Sequence, residues 1–78
     1  METLIESERR RKGLSQAELG AALTLPVTGR TVREWEKGNS PIPSFQLLNL
    51  TELFRCSADY LLGLTDKRTP MAFGRGRG

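Results

Sequence analysis

The sequence contains no histidine, a single cysteine at position 56, and no apolar run near the roughly 18 residues of a membrane span. Without histidine it lacks the commonest general base and metal ligand. One thiol cannot form an internal disulfide, and a single thiol with no histidine argues against a structural zinc site. We therefore expect no enzyme, no cofactor, no metal and no membrane partner, and a reducing cytoplasm as the location.

The net charge of +3 would fit a nucleic-acid-binding protein, but its placement does not. Residues 1–63 carry eight basic and eight acidic side chains. The whole excess lies further on, where Lys67, Arg68, Arg75 and Arg77 outnumber Asp66. The net charge alone therefore does not predict a DNA partner. Such a prediction has to rest on where particular cations lie.

A chain of 78 residues forms one domain at most. Helical periodicity and breaks at Gly13, 24–29, 38–43 and Cys56–Ser57 predict a compact all-α fold of five helices over residues 1–66. Residues 67–78 are predicted to be a flexible basic Gly/Arg tail. Its last ten residues have almost nothing to bury.

Two consecutive short helices carry strong start signals. Ser15 and Glu18 form a capping box for the second helix, and Gly20 within that helix suggests close approach by the next one. Thr28 is the expected N-cap of the third helix, and Gly38 follows its last residue. The connection over residues 24–27 makes the pair a helix-turn-helix.

The third helix, over about residues 28–37, has two different faces. Val32, Trp35 and Glu36 share the inner side, so Trp35 is expected in the core rather than as a stacking platform. The opposite side carries Arg30, Arg33, Glu34 and Lys37. From the pattern alone, this outer face is either a solvated surface or a binding surface.

Two further helices complete the expected fold. The fourth, over residues 44–54, has several leucines to bury. Ser57 then caps a short fifth helix, residues 58–62, which ends at Gly63. Cys56 lies between the two, and we expect it to be a small buried hydrophobe rather than a reactive thiol.

Three motifs in order carry a family resemblance. The chain resembles the Cro/C1-type helix-turn-helix family, the lambda-repressor-like five-helix DNA-binding domains of phage and bacterial regulators, from about Leu4 to Gly63. The motifs are Gly13-Leu14-Ser15-Gln16-Ala17-Glu18-Leu19, then Val27-Thr28-x-x-Thr31-Val32-x-x-Trp35-Glu36-x-Gly38, then Ser57-Ala58-Asp59-Tyr60-Leu61-Leu62-Gly63.

The resemblance implies which residues touch DNA. Positions that reach base edges or nearby backbone correspond to Gly29, Arg30, Arg33 and Glu34. Positions that usually touch phosphates correspond to Gln16, Thr31, Lys37, Asn39 and Ser40, and Thr28 completes the expected set. Gln16 is also expected to brace the recognition helix. Arg9 and Glu36 match a pair that forms an internal salt bridge.

Several of these roles have alternatives. The guanidinium groups of Arg30 and Arg33 suit guanine O6 and N7, but either could contact phosphate instead. Glu34 could accept from cytosine N4 or orient Arg30 one turn earlier. The basic run 9–12 could grip phosphate or simply favour the end of the first helix.

The sequence departs from the family pattern at three places. Thr24-Leu25-Pro26 stands where relatives usually have a single glycine, which makes the turn before the third helix two residues longer. Glu8 occupies a position that is usually aliphatic, so the first helix is expected to be poorly anchored beyond Leu4 and Ile5. Gly29 brings no side chain to a position that often reads a base.

The resemblance implies a sequence-specific regulator of double-stranded DNA, a repressor acting as a homodimer on a near-palindromic operator. Relatives pair around residues 54–64. Two alternatives stay open. An antitoxin would also bind a partner protein through its C-terminal tail, and a protein-interaction module would have kept the fold without binding DNA. Charge balance over residues 1–63 favours the second alternative.

Overall fold

The computed structural model describes residues 3–68, and within this range all regular structure is α-helical. No described helix is long and apolar enough to cross a membrane. Of the tail expected over residues 67–78, residues 69–78 lie outside the described residues. The helices are α1 (Ile5–Arg11), α2 (Gln16–Ala22), α3 (Gly29–Lys37), α4 (Ser44–Phe54) and α5 (Ala58–Leu61).

The helix boundaries follow local capping chemistry. Ser15 and Glu18 form the expected capping box at α2, and the Ser57 side chain accepts a hydrogen bond from the Tyr60 amide at the start of α5. α4 has its predicted bounds. α5 ends one residue earlier than predicted, with Leu62 as its C-cap, and Gly63 follows with a φ of 79°.

The core is built from one side of every helix. Trp35 is 3% exposed and Cys56 is 1% exposed, as the sequence predicts. Burial raises the pKa of the Cys56 thiol to about 11, because desolvation disfavours the thiolate. The remaining buried apolar residues are Ile5, Leu19, Leu23, Val32, Leu50, Phe54 and Leu61.

The first helix is anchored by Glu8, and the expectation that it would be poorly anchored is wrong. The Glu8 side chain is buried, and its carboxylate accepts hydrogen bonds from Arg68 at 2.7 and 3.1 Å and from the Tyr60 hydroxyl at 3.2 Å. Arg68 also donates to the Phe54 carbonyl at 2.7 Å. Arg68, assigned above to the tail, therefore joins α1 to the end of α4, and its carbonyl accepts from the amide of Ser57, the N-cap of α5, at 3.1 Å.

Candidate nucleic-acid interface

Helices α2 and α3 meet at two glycines. A Cβ atom on Gly20 would overlap the carbonyl oxygen of Val27, whose amide donates to the Gly20 carbonyl at 3.1 Å. The close approach expected at Gly20 is thus made by the backbone just before α3. The second glycine, Gly29, would place a Cβ 3.0 Å from the Ala17 nitrogen.

The position of Gly29 accounts for one departure from the family pattern. Its Cβ direction faces the first turn of α2, so a side chain there would push α2 and α3 apart. Gly29 is half-buried at this crossing and can approach a ligand only through its backbone. The sequence shows that the side chain is missing, and the packing of α2 against α3 gives the structural reason.

The inner side of α3 is held by the carboxylate of Glu36. Its Oε2 atom lies 2.6 Å from Nε of Arg9 in α1, and its Oε1 accepts from Nε2 of Gln16 in α2 at 3.0 Å. Arg9 also donates to the Leu14 carbonyl at 2.8 Å. The pair implied by the family resemblance is therefore present. Because every partner lies on another helix or turn, the network fixes α3 against both earlier helices.

Gln16 takes part in this bracing contact from the N-terminal end of α2. Its side chain is half-buried, and one amide hydrogen is directed to Glu36. An amide nitrogen has a second hydrogen that can donate to another acceptor. Gln16 can therefore brace α3 and contact a phosphate at the same time.

The outer side of α3 presents cations to solvent. Arg30, Arg33 and Lys37 are exposed, and none of them makes an ion pair or a side-chain hydrogen bond with any residue in 3–68. Glu34 is half-buried on the same helix. The alternative in which Glu34 orients Arg30 has no ion pair to support it within this range.

The first turn of α3 is closed by two threonines. The Thr28 hydroxyl accepts from the Thr31 amide at 3.2 Å, and the two hydroxyl oxygens are also 3.2 Å apart. Thr28 is exposed and Thr31 is half-buried. In the contact between the two hydroxyls one threonine donates its single O–H hydrogen, so the other hydroxyl is the one still able to donate to a phosphate oxygen.

The polar residues after α3 follow a left-handed glycine. Gly38 has a φ of 75°, and the next amide, that of Asn39, donates to the Glu34 carbonyl at 2.9 Å. This closure fixes Asn39 and Ser40 directly beyond the cationic end of α3. Asn39 is exposed and Ser40 is half-buried.

The basic run 9–12 does not act as a unit. Arg9 is 9% exposed and forms its ion pair with the buried Glu36. Arg10, in contrast, pairs with Glu6 at 2.7 Å on the surface. Arg11 lies 3.9 Å from Glu8, and Lys12 is exposed. Arg9 is therefore structural, so only the last three cations of the run are accessible to phosphate.

Sequence reasoning missed Gln46. This side chain in α4 is 3% exposed, and its Nε2 donates to the Leu25 carbonyl in the α2–α3 turn at 2.7 Å. Its Oε1 accepts from Nδ2 of Asn49 at 3.2 Å. The only signal in the sequence is a pair of amide side chains three residues apart in a leucine-rich helix, which suggests contact within that helix but not with the turn.

Two capped helices joined by a turn, with a braced inner face and a cationic outer face, define a helix-turn-helix protein. A family model described as "Helix-turn-helix" matches residues 5–61, and the chain belongs to this Cro/C1-type helix-turn-helix family. The chain is accordingly a DNA-binding helix-turn-helix regulator. No curated protein and no solved structure gave a significant match.

Proposed function

We propose that this regulator is a repressor that binds double-stranded DNA as a homodimer, with α3 in the major groove and α2 across the phosphate backbone. The observation that carries the proposal is the difference between the two faces of α3. Glu36 ties the inner face to α1 and α2, while Arg30, Arg33 and Lys37 have no internal ionic partner among the described residues. These cations can meet an anionic ligand without first breaking an internal bond.

Within that geometry, Arg30 and Arg33 read base edges, because a guanidinium can bond guanine O6 and N7 together. Glu34 accepts from cytosine N4, since no ion pair with Arg30 competes for its carboxylate within residues 3–68. Gly29 approaches through its backbone. Phosphate contacts set the register and come from Gln16, Thr28, Thr31, Lys37, Asn39 and Ser40.

A dimer is proposed because one nine-residue helix contacts too few base pairs to select a site by itself. The apolar side of α4 and α5 supports pairing there. It forms a cleft of about 960 Å³ lined in part by Ile42, Leu47, Leu48 and Ala58, and Leu48 is 60% exposed. Covering this cleft with a second copy would remove apolar surface from water.

Selection of binding sites from random duplex DNA tests the proposal. We expect enrichment of a near-palindromic sequence whose half-sites lie about one helical turn apart. Sedimentation of the complex should give two chains per duplex, and the enriched site placed in a promoter should lower reporter transcription. Failure to enrich any duplex at low salt would favour a protein-interaction module, in keeping with the balanced charge of residues 1–63.

A further inference from the structure

The turn between α2 and α3 is long and sparsely bonded. Leu23 is buried at one end, and Val27 is bonded to Gly20 at the other. Thr24, Leu25 and Pro26 between them are exposed. Within residues 3–68, the only hydrogen bond made by these three is that from Gln46 to the Leu25 carbonyl, at 2.7 Å.

The amide group of Gln46 has little freedom to move. At 3% exposure it is enclosed by protein, and Asn49 donates to its oxygen, which directs its nitrogen at the turn. A buried amide is costly to leave without a partner. The bond to Leu25 therefore joins α4 firmly to the middle of the turn.

The turn leads directly into the part of α3 proposed to meet DNA. Leu25 is only three residues before the N-cap Thr28 and five before Arg30. Phosphate contacts tolerate small shifts, whereas bidentate contacts with base edges need a fixed helix position. An anchor on the turn should therefore matter more for discrimination between sequences than for general attraction to DNA.

We propose that Gln46 is a positioning residue for the recognition helix, holding the extended α2–α3 turn through the Leu25 carbonyl and so setting where α3 enters the groove. The inference rests on the proposed DNA binding by α3. Gln46 does not itself touch DNA in this arrangement. A one-residue turn would be rigid because it is short, and in this longer turn the Gln46 contact supplies that rigidity.

The first test compares Gln46→Leu with the wild type on the selected duplex and on an unrelated one. Leucine has nearly the size of glutamine but no donor. We expect the affinity for the selected duplex to fall about tenfold, the value of one lost hydrogen bond, and that for the unrelated duplex to change less than about twofold. Phe45→Leu, at a 52% exposed neighbour, is the control and should leave both affinities unchanged.

Shortening the turn distinguishes positioning of α3 by Gln46 from a general contribution of Gln46 to stability. Replacing Thr24-Leu25-Pro26 with one glycine shortens the turn by two residues and removes the acceptor. In that chain, Gln46→Leu should alter the preference between duplexes by less than about twofold, because the two changes act through one contact. The inference would be overturned if Gln46→Leu reduced the preference equally in the native-turn and short-turn proteins. It would also be overturned if Gln46→Leu left the preference unchanged in the protein with the native turn.

Amide hydrogen exchange gives a measurement that does not need DNA. In Gln46→Leu, the Val27 amide should exchange faster relative to the core amide of Leu50, whereas in Phe45→Leu the ratio should not change. An unchanged ratio in Gln46→Leu contradicts the anchoring. If the wild type itself binds no duplex, the proposed function fails, and the exchange ratio still decides whether Gln46 anchors the turn.

Discussion

The Nε atom of Arg9 in α1 lies 2.6 Å from Oε2 of Glu36 in α3, although the two residues are 27 positions apart. Their side chains are 11% and 4% exposed. A charged pair this far from water depends strongly on both partners, because removal of either leaves the other desolvated without compensation. The contact therefore controls both the stability of the domain and the placement of α3.

Glu36→Ala should be severely destabilising. It strands the buried Arg9 guanidinium and removes the acceptor for Gln16, so we expect a loss of about 3–5 kcal/mol in the free energy of unfolding. Urea denaturation measures this change. Arg10→Ala is the matched control, because the Arg10–Glu6 pair lies on the surface and should cost less than about 1 kcal/mol. Equal costs for the two variants would contradict a structural role for the Arg9–Glu36 pair.

Arg33→Ala should weaken specific binding and relax the preference at one base pair. Arg33 is exposed on the outer face of α3, and a bidentate base contact is worth about 1–3 kcal/mol of discrimination. Titration against duplexes varied one position at a time measures the preference. If affinity falls equally for all duplexes, Arg33 contacts phosphate rather than a base.

DNA binding should fall steeply with salt. Cations that neutralise phosphates release counterions, at a log–log slope of about 0.9 per phosphate, and a dimer doubles the number of contacts. We expect a slope with a magnitude of several between low and physiological salt. A slope near zero would argue against DNA as the natural ligand.

Arg68→Ala should expose the dependence of α1 on the C-terminal segment. Glu8 would stay buried without its main partner, and we expect the free energy of unfolding to drop by about 2 kcal/mol, less than for a fully buried pair because Arg68 is partly exposed. Thermal and urea denaturation measure the change. Lys67→Ala, at an exposed neighbour, should have almost no effect, and similar losses in both variants would refute the Glu8 assignment.

The same cluster makes stability depend on acid pH. Hydrogen bonds from Arg68 hold the pKa of Glu8 below its ordinary value of 4.5. A depressed folded-state pKa means that this stabilisation is fully present above the unfolded value and is lost as the pH falls through the folded value. Glu8→Gln should therefore lose less stability than the wild type on acidification below about pH 4.5. Parallel pH profiles would show that Glu8 does not titrate in this way.

Deletion of residues 69–78 should leave the fold and its thermal midpoint nearly unchanged, since Arg68 and its contacts are retained. It removes Arg75 and Arg77, which supply much of the net positive charge. Affinity for all duplexes should drop modestly with the sequence preference kept. Equal affinities of truncated and full-length protein would show that the tail plays no part in binding, and a changed preference would show that it reads bases.

The features that the sequence determined by itself are local ones. The caps at Ser15, Thr28 and Ser57 join groups three residues apart, so the spacing of residue types is enough to predict where α2, α3 and α5 begin. Helical periodicity likewise placed Trp35 and Glu36 on the inner side of α3. The same periodicity placed the other charged residues of α3 on its outer side, because the face on which a helical residue lies depends only on local spacing.

Contacts between residues far apart in the chain were decided only by the tertiary structure. Glu8 meets Arg68 across 60 positions, and Gln46 meets the Leu25 carbonyl across 21. The partner of neither side chain can be predicted from the sequence, because the burial and orientation of each side chain depend on how all five helices pack. By sequence pattern alone, Glu8 and Gln46 look unfavourable, since one stands at an aliphatic position and the other in a leucine-rich helix. In the folded protein, packing brings each of them to a partner, and both contacts hold segments of the chain together.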